Sequence, residues 1–270
     1  MTVNSQRVVD AASRSVAVPR LLVSVRSWAE AAVAIEGGTQ ILDVKEPARG
    51  SLGMADPGVI REIARQIRVA GCSLPLSIAL GELRDWIGRD DWPSLPEEVT
   101  FAKLGLSELA AISDWQSVWR QVRADFDRQR TVPLSWVAVV YADQQAARSP
   151  GHEEILVEAS STGCAGLLID TYVKSDRSLT DFVPVPSLIE TAERCHSRGM
   201  FLALAGRLGL GSLAGIGMVN ADVIAIRSAA CRQGDRTGMI EAGRVSEFRE
   251  AMAQVWRFKG PANGDHPVIH

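Results

Sequence analysis

Residues 40–81 read QILDVKEPARGSLGMADPGVIREIARQIRVAGCSLPLSIALG. Two short apolar runs, Gln40–Lys45 and Leu74–Gly81, flank a segment, Pro57–Val69, whose apolar residues recur at helical spacing behind a proline at the helix start. The pattern is strand, helix, strand. Working outward, further β-branched runs recur at Leu21–Val25, Val99–Leu106, Leu134–Tyr141, Gly166–Thr171, Phe201–Gly206 and Val223–Ser228. Helical spacing appears between them at Ser27–Glu36, Asp114–Arg130, Glu153–Ser160, Pro184–Arg198 and Ser246–Trp256.

Eight such units of roughly 30 residues each match the βα unit and the size of a (β/α)8 TIM barrel. The strands are near-continuous apolar runs, as a parallel sheet covered by helices requires. This predicts an α/β protein with a single barrel over 21–257, an N-terminal extension over 1–20 and a C-terminal tail over 258–270. A doubly wound open sheet is the competing architecture. Two places break the rhythm. Glu82–Glu98 carries Pro93 and Pro96 and no apolar stripe, so the third helix should be short or replaced by a loop. The seventh, within Leu210–Gly217, is diluted by glycine and should be short.

The chain has 270 residues, 46% of them hydrophobic, with 29 Lys+Arg against 32 Asp+Glu and a formal net charge of -3. That is enough to bury a full core, and it offers no basic excess for nucleic acid. The four cysteines, Cys72, Cys164, Cys195 and Cys231, form no C-x-x-C pair and have no histidine cluster beside them, which argues against a metal site and a disulfide framework. The N-terminus lacks the apolar core of a secretory signal, and Met200–Val219, with one charge and five glycines, reads as strand and loop rather than a membrane span. A cytoplasmic protein with no membrane partner is expected.

Barrel chemistry sits where strands end and βα loops begin, so charges at the ends of apolar runs locate it. Asp43 and Lys45, two residues apart in ILDVK, point to one side of their strand. Lys103 interrupts FAKLGL, Asp143 ends VVYAD, Asp170 lies on the strand of LLIDTYVK with Lys174 just beyond it, and Arg227, near the end of the eighth run, sits at the same rim. A lysine within a strand needs a partner or a lowered pKa. Converging lysines, partly desolvated and mutually repelling, leave one amine neutral enough to attack a carbonyl and form a Schiff base, with aspartates to orient amines and accept protons. The implied substrate is a small phosphorylated aldehyde or ketone. Its phosphate needs a cradle, which the loops after strands seven and eight commonly supply, here through Gly206, Arg207, Arg227 and Ser228. A salt-bridge network of purely structural purpose is the competing reading of the same charges.

Other features weigh less. Gly209–Ala214 fits a loose dinucleotide pattern but follows the seventh run rather than opening a βαβ half, so no NAD is expected. His152, His196, His266 and His270 read as surface residues, and Trp115 and Trp119, one helical turn apart, as packing or oligomer contacts.

The segments GGTQILDVKEPARGSLG, FAKLGL, YAD, LLIDTYVKSDRSLTDF, ALAG and IRSAACRQGDR resemble, in order and spacing, the (5-formylfuran-3-yl)methyl phosphate synthases, from about Leu21 to about Trp256. The resemblance implies a TIM-barrel lyase that condenses two glyceraldehyde 3-phosphates into a furaldehyde phosphate on the way to methanofuran or its analogue. It implies neither metal nor organic cofactor. It places the Schiff-base lysine on Lys45 and the proton-moving lysine on Lys103. Asp43, Asp143, Asp170 and Lys174 fall on its further polar pocket positions. Glu46, Arg207 and Ser228 depart from the family's usual residues. A class I aldolase-like enzyme on another sugar phosphate and an inactive barrel serving as a binding subunit are the alternatives.

Overall fold

The computed structural model describes residues 18–257. The remainder of the predicted extension and tail, 1–17 and 258–270, lies outside the described residues, and His266 and His270 with it. Eight parallel strands follow one another in sequence order: β1 (Arg20–Val25), β2 (Ile41–Val44), β3 (Leu76–Glu82), β4 (Val99–Gly105), β5 (Ser135–Tyr141), β6 (Gly166–Asp170), β7 (Phe201–Leu204) and β8 (Val223–Ile226). β8 pairs back onto β1, Arg20 opposite Val223 and Val23 opposite Ile226, which closes the barrel and excludes the open sheet.

Helices α1 (Trp28–Glu36), α2 (Pro57–Val69), α3 (Trp115–Asp127), the single turn α4 (Gln144–Ala147), α5 (His152–Ser161), α6 (Val185–Ser197), α7 (Leu210–Ile216) and α8 (Ala242–Arg257) cover the outside. The third unit has only a 3-10 turn, Leu83–Trp86, as its prolines require, and α7 is short. α8 begins at Ala242, a turn before its predicted start. Five strands end earlier than their apolar runs, β2, β4 and β6 by one residue and β7 and β8 by two. β8 stops at Ile226 because Arg227 leaves extended backbone (φ −132°, ψ −66°), and β7 stops at Leu204, two residues before Gly206 turns at φ +94°.

Strand alternation divides the apolar residues into two shells. Leu21, Val23, Leu42, Ile78, Leu104, Ala138, Leu167 and Ile224 face the helices, where α2 contributes Ile60, Ile63 and Ile67 and α8 contributes Phe248 and Trp256. Leu22, Ile41, Ala79, Val137, Val139, Leu168 and Ala203 face the barrel axis. Trp115 and Trp119 are buried on α3, ring centroids 6.2 Å apart, and pack within the outer shell as expected. No helix among the described residues is long and apolar enough to cross a membrane.

Candidate active site

The inward parity that places Leu22, Val137 and Ala203 on the axis places the charged residues there too. Asp43 follows Ile41 by two, Lys45 follows Asp43 by two, Lys103 follows Phe101 and Asp170 follows Leu168, so each projects into the barrel. All four are buried. Two cavities border them. The outer one, about 300 Å³ at the mouth, is lined by Lys45, Asp170, Lys174, Gly206, Ser228 and three arginines. The inner one, about 170 Å³ along the axis, is lined mostly by apolar side chains including Leu22, Phe101, Leu168 and Phe201, with Asp43, Lys45, Lys103 and Asp170 above them. Lys45 and Asp170 border both.

Lys103 is paired with Asp43, Nζ to Oδ1 2.5 Å, and Ser24 donates to the other carboxylate oxygen at 3.0 Å. Burial pushes the Asp43 carboxyl up, but Lys103 and then Lys45 outweigh it and hold it below the ordinary range. Asp170 is treated alike: burial raises it, and Lys174 and Lys45 bring it down further. Lys174 Nζ lies 3.0 Å from Asp170 Oδ1 and also donates to the Thr171 carbonyl.

Lys45 has no carboxylate within ion-pair distance among the described residues; its Nζ donates to the Ser51 carbonyl at 3.4 Å. Its pKa is pushed down to about 8, first by burial. Asp170 and Asp43 oppose the fall, and Lys174 and Lys103 add to it. Crowding by other cations, which the sequence reading put beside desolvation, is therefore the lesser cause. An amine with pKa about 8 is neutral in roughly one molecule in ten at pH 7, against about one in three thousand for an ordinary lysine.

The remaining predicted residues divide. Gly206 and Ser228 line the mouth. A Cβ on Gly206 would come 3.0 Å from Thr171 Cγ2, and its φ of +94° favours glycine as well. Asp143 lines neither cavity. Its two carboxylate oxygens accept from the Tyr172 and Val173 amides, at 2.6 and 2.8 Å, and fix the loop that carries Lys174. Arg227 lines the mouth, yet all five of its N–H donors are engaged within the chain. His152 is half-buried rather than on the surface, and burial lowers its pKa; His196 bonds Asp222 at 2.8 Å.

Sequence reasoning missed Ser51, Glu82 and Arg236. The Ser51 hydroxyl donates to the Thr171 carbonyl at 2.9 Å and lies 3.2 Å from Asp170 Oδ2, so the loop after β2 is tied to the end of β6. Glu82 accepts from Tyr141 Oη at 2.6 Å and from the Ser107 amide at 2.9 Å, which ties the ends of β3, β4 and β5 together. Arg236 reaches from the loop after β8 into the mouth. No group of three or more histidine, cysteine and carboxylate side chains among the described residues could hold a metal ion.

A sequence profile for "4-HFC-P synthase" matches residues 21–249. A protein of Methanococcus maripaludis strain C7 named (5-formylfuran-3-yl)methyl phosphate synthase is 34% identical over 252 residues, 87% of this chain and 99% of that one. One of the same name from Methanopyrus kandleri is 34% identical over 243 residues, again 87% of this chain and 99% of that one. Among solved structures, a thiamine phosphate pyrophosphorylase from Pyrococcus furiosus superposes with a TM-score of 0.54 at 13% identity, covering 88% of this chain and 96% of that one, a likeness of fold alone.

Proposed function

Since the chain belongs to the 4-HFC-P synthase family, we propose that it is a (5-formylfuran-3-yl)methyl phosphate synthase acting in methanofuran biosynthesis or that of an analogue, and that it works through a Schiff base on Lys45. The observation that carries this reading is one buried amine, pushed down to about 8, where a cationic mouth meets an apolar interior. An ammonium has no lone pair with which to attack a carbonyl, and the neutral amine has.

Two glyceraldehyde 3-phosphates contain the atoms of the furaldehyde phosphate plus one phosphoric acid and two waters. The reaction is therefore joining and elimination with no redox change. Neutral Lys45 Nζ adds to the carbonyl carbon of one triose; loss of water from the carbinolamine gives a protonated imine. The imine acidifies the adjacent C–H, and Asp170, within the charge field of Lys45, is the carboxylate positioned to take that proton. The resulting enamine electrons expel the phosphate from the neighbouring carbon, and Lys174 beside Asp170 balances the charge that develops there. Lys103, held by Asp43 over the inner cavity, is placed to move protons on the carbon skeleton during joining and dehydration. Its mainly apolar wall suits an aromatising ring.

Borohydride reduction in the presence of glyceraldehyde 3-phosphate should add a triose-derived mass to the peptide carrying Lys45. The unreduced enzyme should release inorganic phosphate and generate a furaldehyde absorbance in the near ultraviolet. Lys45→Ala should lose both the adduct and at least a thousandfold of turnover, on the order of what a covalent step contributes. Full turnover by that variant would overturn the assignment. A trapped imine with reversible carbon–carbon cleavage but no furan would point to an aldolase instead.

A further inference from the structure

Three arginines line the mouth, and their hydrogen bonds separate them sharply. Arg227 donates from Nε to the Arg236 carbonyl (2.8 Å), from Nη1 to the Ser24 carbonyl (3.0 Å) and Glu30 (2.5 Å), and from Nη2 to Glu30 (3.1 Å) and the Gly238 carbonyl (3.1 Å). Its donor capacity is complete. Arg207 faces solvent, bonds the Ser175 carbonyl at 2.8 Å and pairs with Asp176 at 2.9 Å. Arg236 is half-buried, gives one N–H to the Gly50 carbonyl at 3.0 Å, and has no carboxylate within ion-pair distance among the described residues. Four of its five donors have no partner there. Burial lowers its pKa, with Asp170 opposing and Arg227 adding to the fall.

A half-buried guanidinium without a counter-charge, aimed into a cavity that also holds Lys45 and Lys174, is a site for an anion. Two of the five bonds of Arg227 go to the backbone of 236–238, so that residue fixes the segment from which Arg236 reaches out.

We propose that Arg236 is the residue that binds the phosphate of the substrate at the barrel mouth, and that Arg227, held by Glu30, is the positioning residue that sets it there. The inference rests on the reading of the mouth as a triose phosphate site. The ligand chemistry is a phosphate monoester dianion, for which a planar fork of donors gives paired charge-assisted bonds. The contact from Arg236 to Gly50 joins the loops after β8 and β2, so the bound phosphate would sit beside the loop whose Ser51 touches Lys45.

The test compares Arg236→Gln, Arg236→Lys and Arg227→Gln in the full chain. Measurements are KM and kcat for glyceraldehyde 3-phosphate, calorimetric affinity for inorganic phosphate, and borohydride trapping of unphosphorylated glyceraldehyde on Lys45. Arg236→Gln should raise KM and weaken phosphate binding about ten- to hundredfold, as loss of a bidentate charged contact implies, with partial rescue in Arg236→Lys. Trapping of the unphosphorylated aldehyde and the melting temperature should stay near the parent's. Arg227→Gln should raise KM likewise and lower the melting temperature as well. Phosphate affinity within twofold of the parent in Arg236→Gln, or equal loss with phosphorylated and unphosphorylated aldehydes, would overturn the proposal. If the parent forms no imine and no furan, the functional reading fails, and calorimetry with phosphate still decides the role of Arg236.

Discussion

The chemistry proposed for Lys45 depends on its charge state, so its titration is the property to measure. Because its folded pKa lies near 8 and its unfolded value near 10.5, imine trapping should rise as pH passes through about 8 and then level off. The same shift affects stability. The unfolded chain holds this proton up to about pH 10.5 and the folded one releases it near 8, so this group's contribution grows more favourable with pH between the two. Asp170 holds the amine up, so Asp170→Asn should move the trapping midpoint to lower pH even as turnover falls, which separates a field effect from loss of a base. A second prediction concerns Gly105, where an added Cβ would lie 2.2 Å from Glu82 Oε2 and 2.4 Å from Tyr141 Oη. Gly105→Ala should cost about 1–3 kcal/mol in chemical denaturation, because neither group can retreat without straining the bond between them. Lys45, Lys103 and Asp170 could be read from sequence because a charge inside an apolar strand has few benign explanations. Arg236 and Ser51 could not. Each lies in a polar loop among residues of the same kind, and what distinguishes them is a bond to a carbonyl far away in the chain.

At the level of elements, the loops after β2, β6, β7 and β8 form the mouth, and side chains rather than helices hold them. Asp143 fixes the loop over 171–174 by accepting two backbone amides. Asp143→Ala leaves those amides without their acceptor, so hydrogen exchange at Tyr172 and Val173 should accelerate and stability should fall by about 1–3 kcal/mol. Turnover should drop with them because Lys174 rides on that loop; unchanged exchange at both amides would refute the clamp. Strands and long helices were legible because burial imposes a period on them, and the proline-bearing third unit was legible as an irregularity. Strand ends were less so. Gly206 and Arg227 fall within the predicted runs, but the backbone has already turned at both, a matter of dihedral angle that hydrophobicity does not encode.

The whole molecule is a barrel whose interior is not uniformly filled. Ser24, Ser77, Ala203 and Ala225 are small where a barrel interior more often carries bulky branched residues, and the inner cavity lies among them. If this space receives the carbon skeleton, Ala203→Val should narrow it, leave Lys45 trapping of the first triose nearly intact and reduce furan formation at least tenfold. Equal loss of both would place the mutation's effect on the fold instead.

Closure of the ring also bears on how the chain is made. β1 leaves the ribosome first, yet its second neighbour, β8, begins at Val223, and the Arg227 that grips Ser24 and Glu30 comes later still. At typical elongation speeds that is a wait of roughly 10–40 s, during which the earliest strand has an unmatched margin exposed to whatever is nearby. Nascent chains stalled before residue 223 should therefore be degraded by protease under conditions that leave the released protein whole.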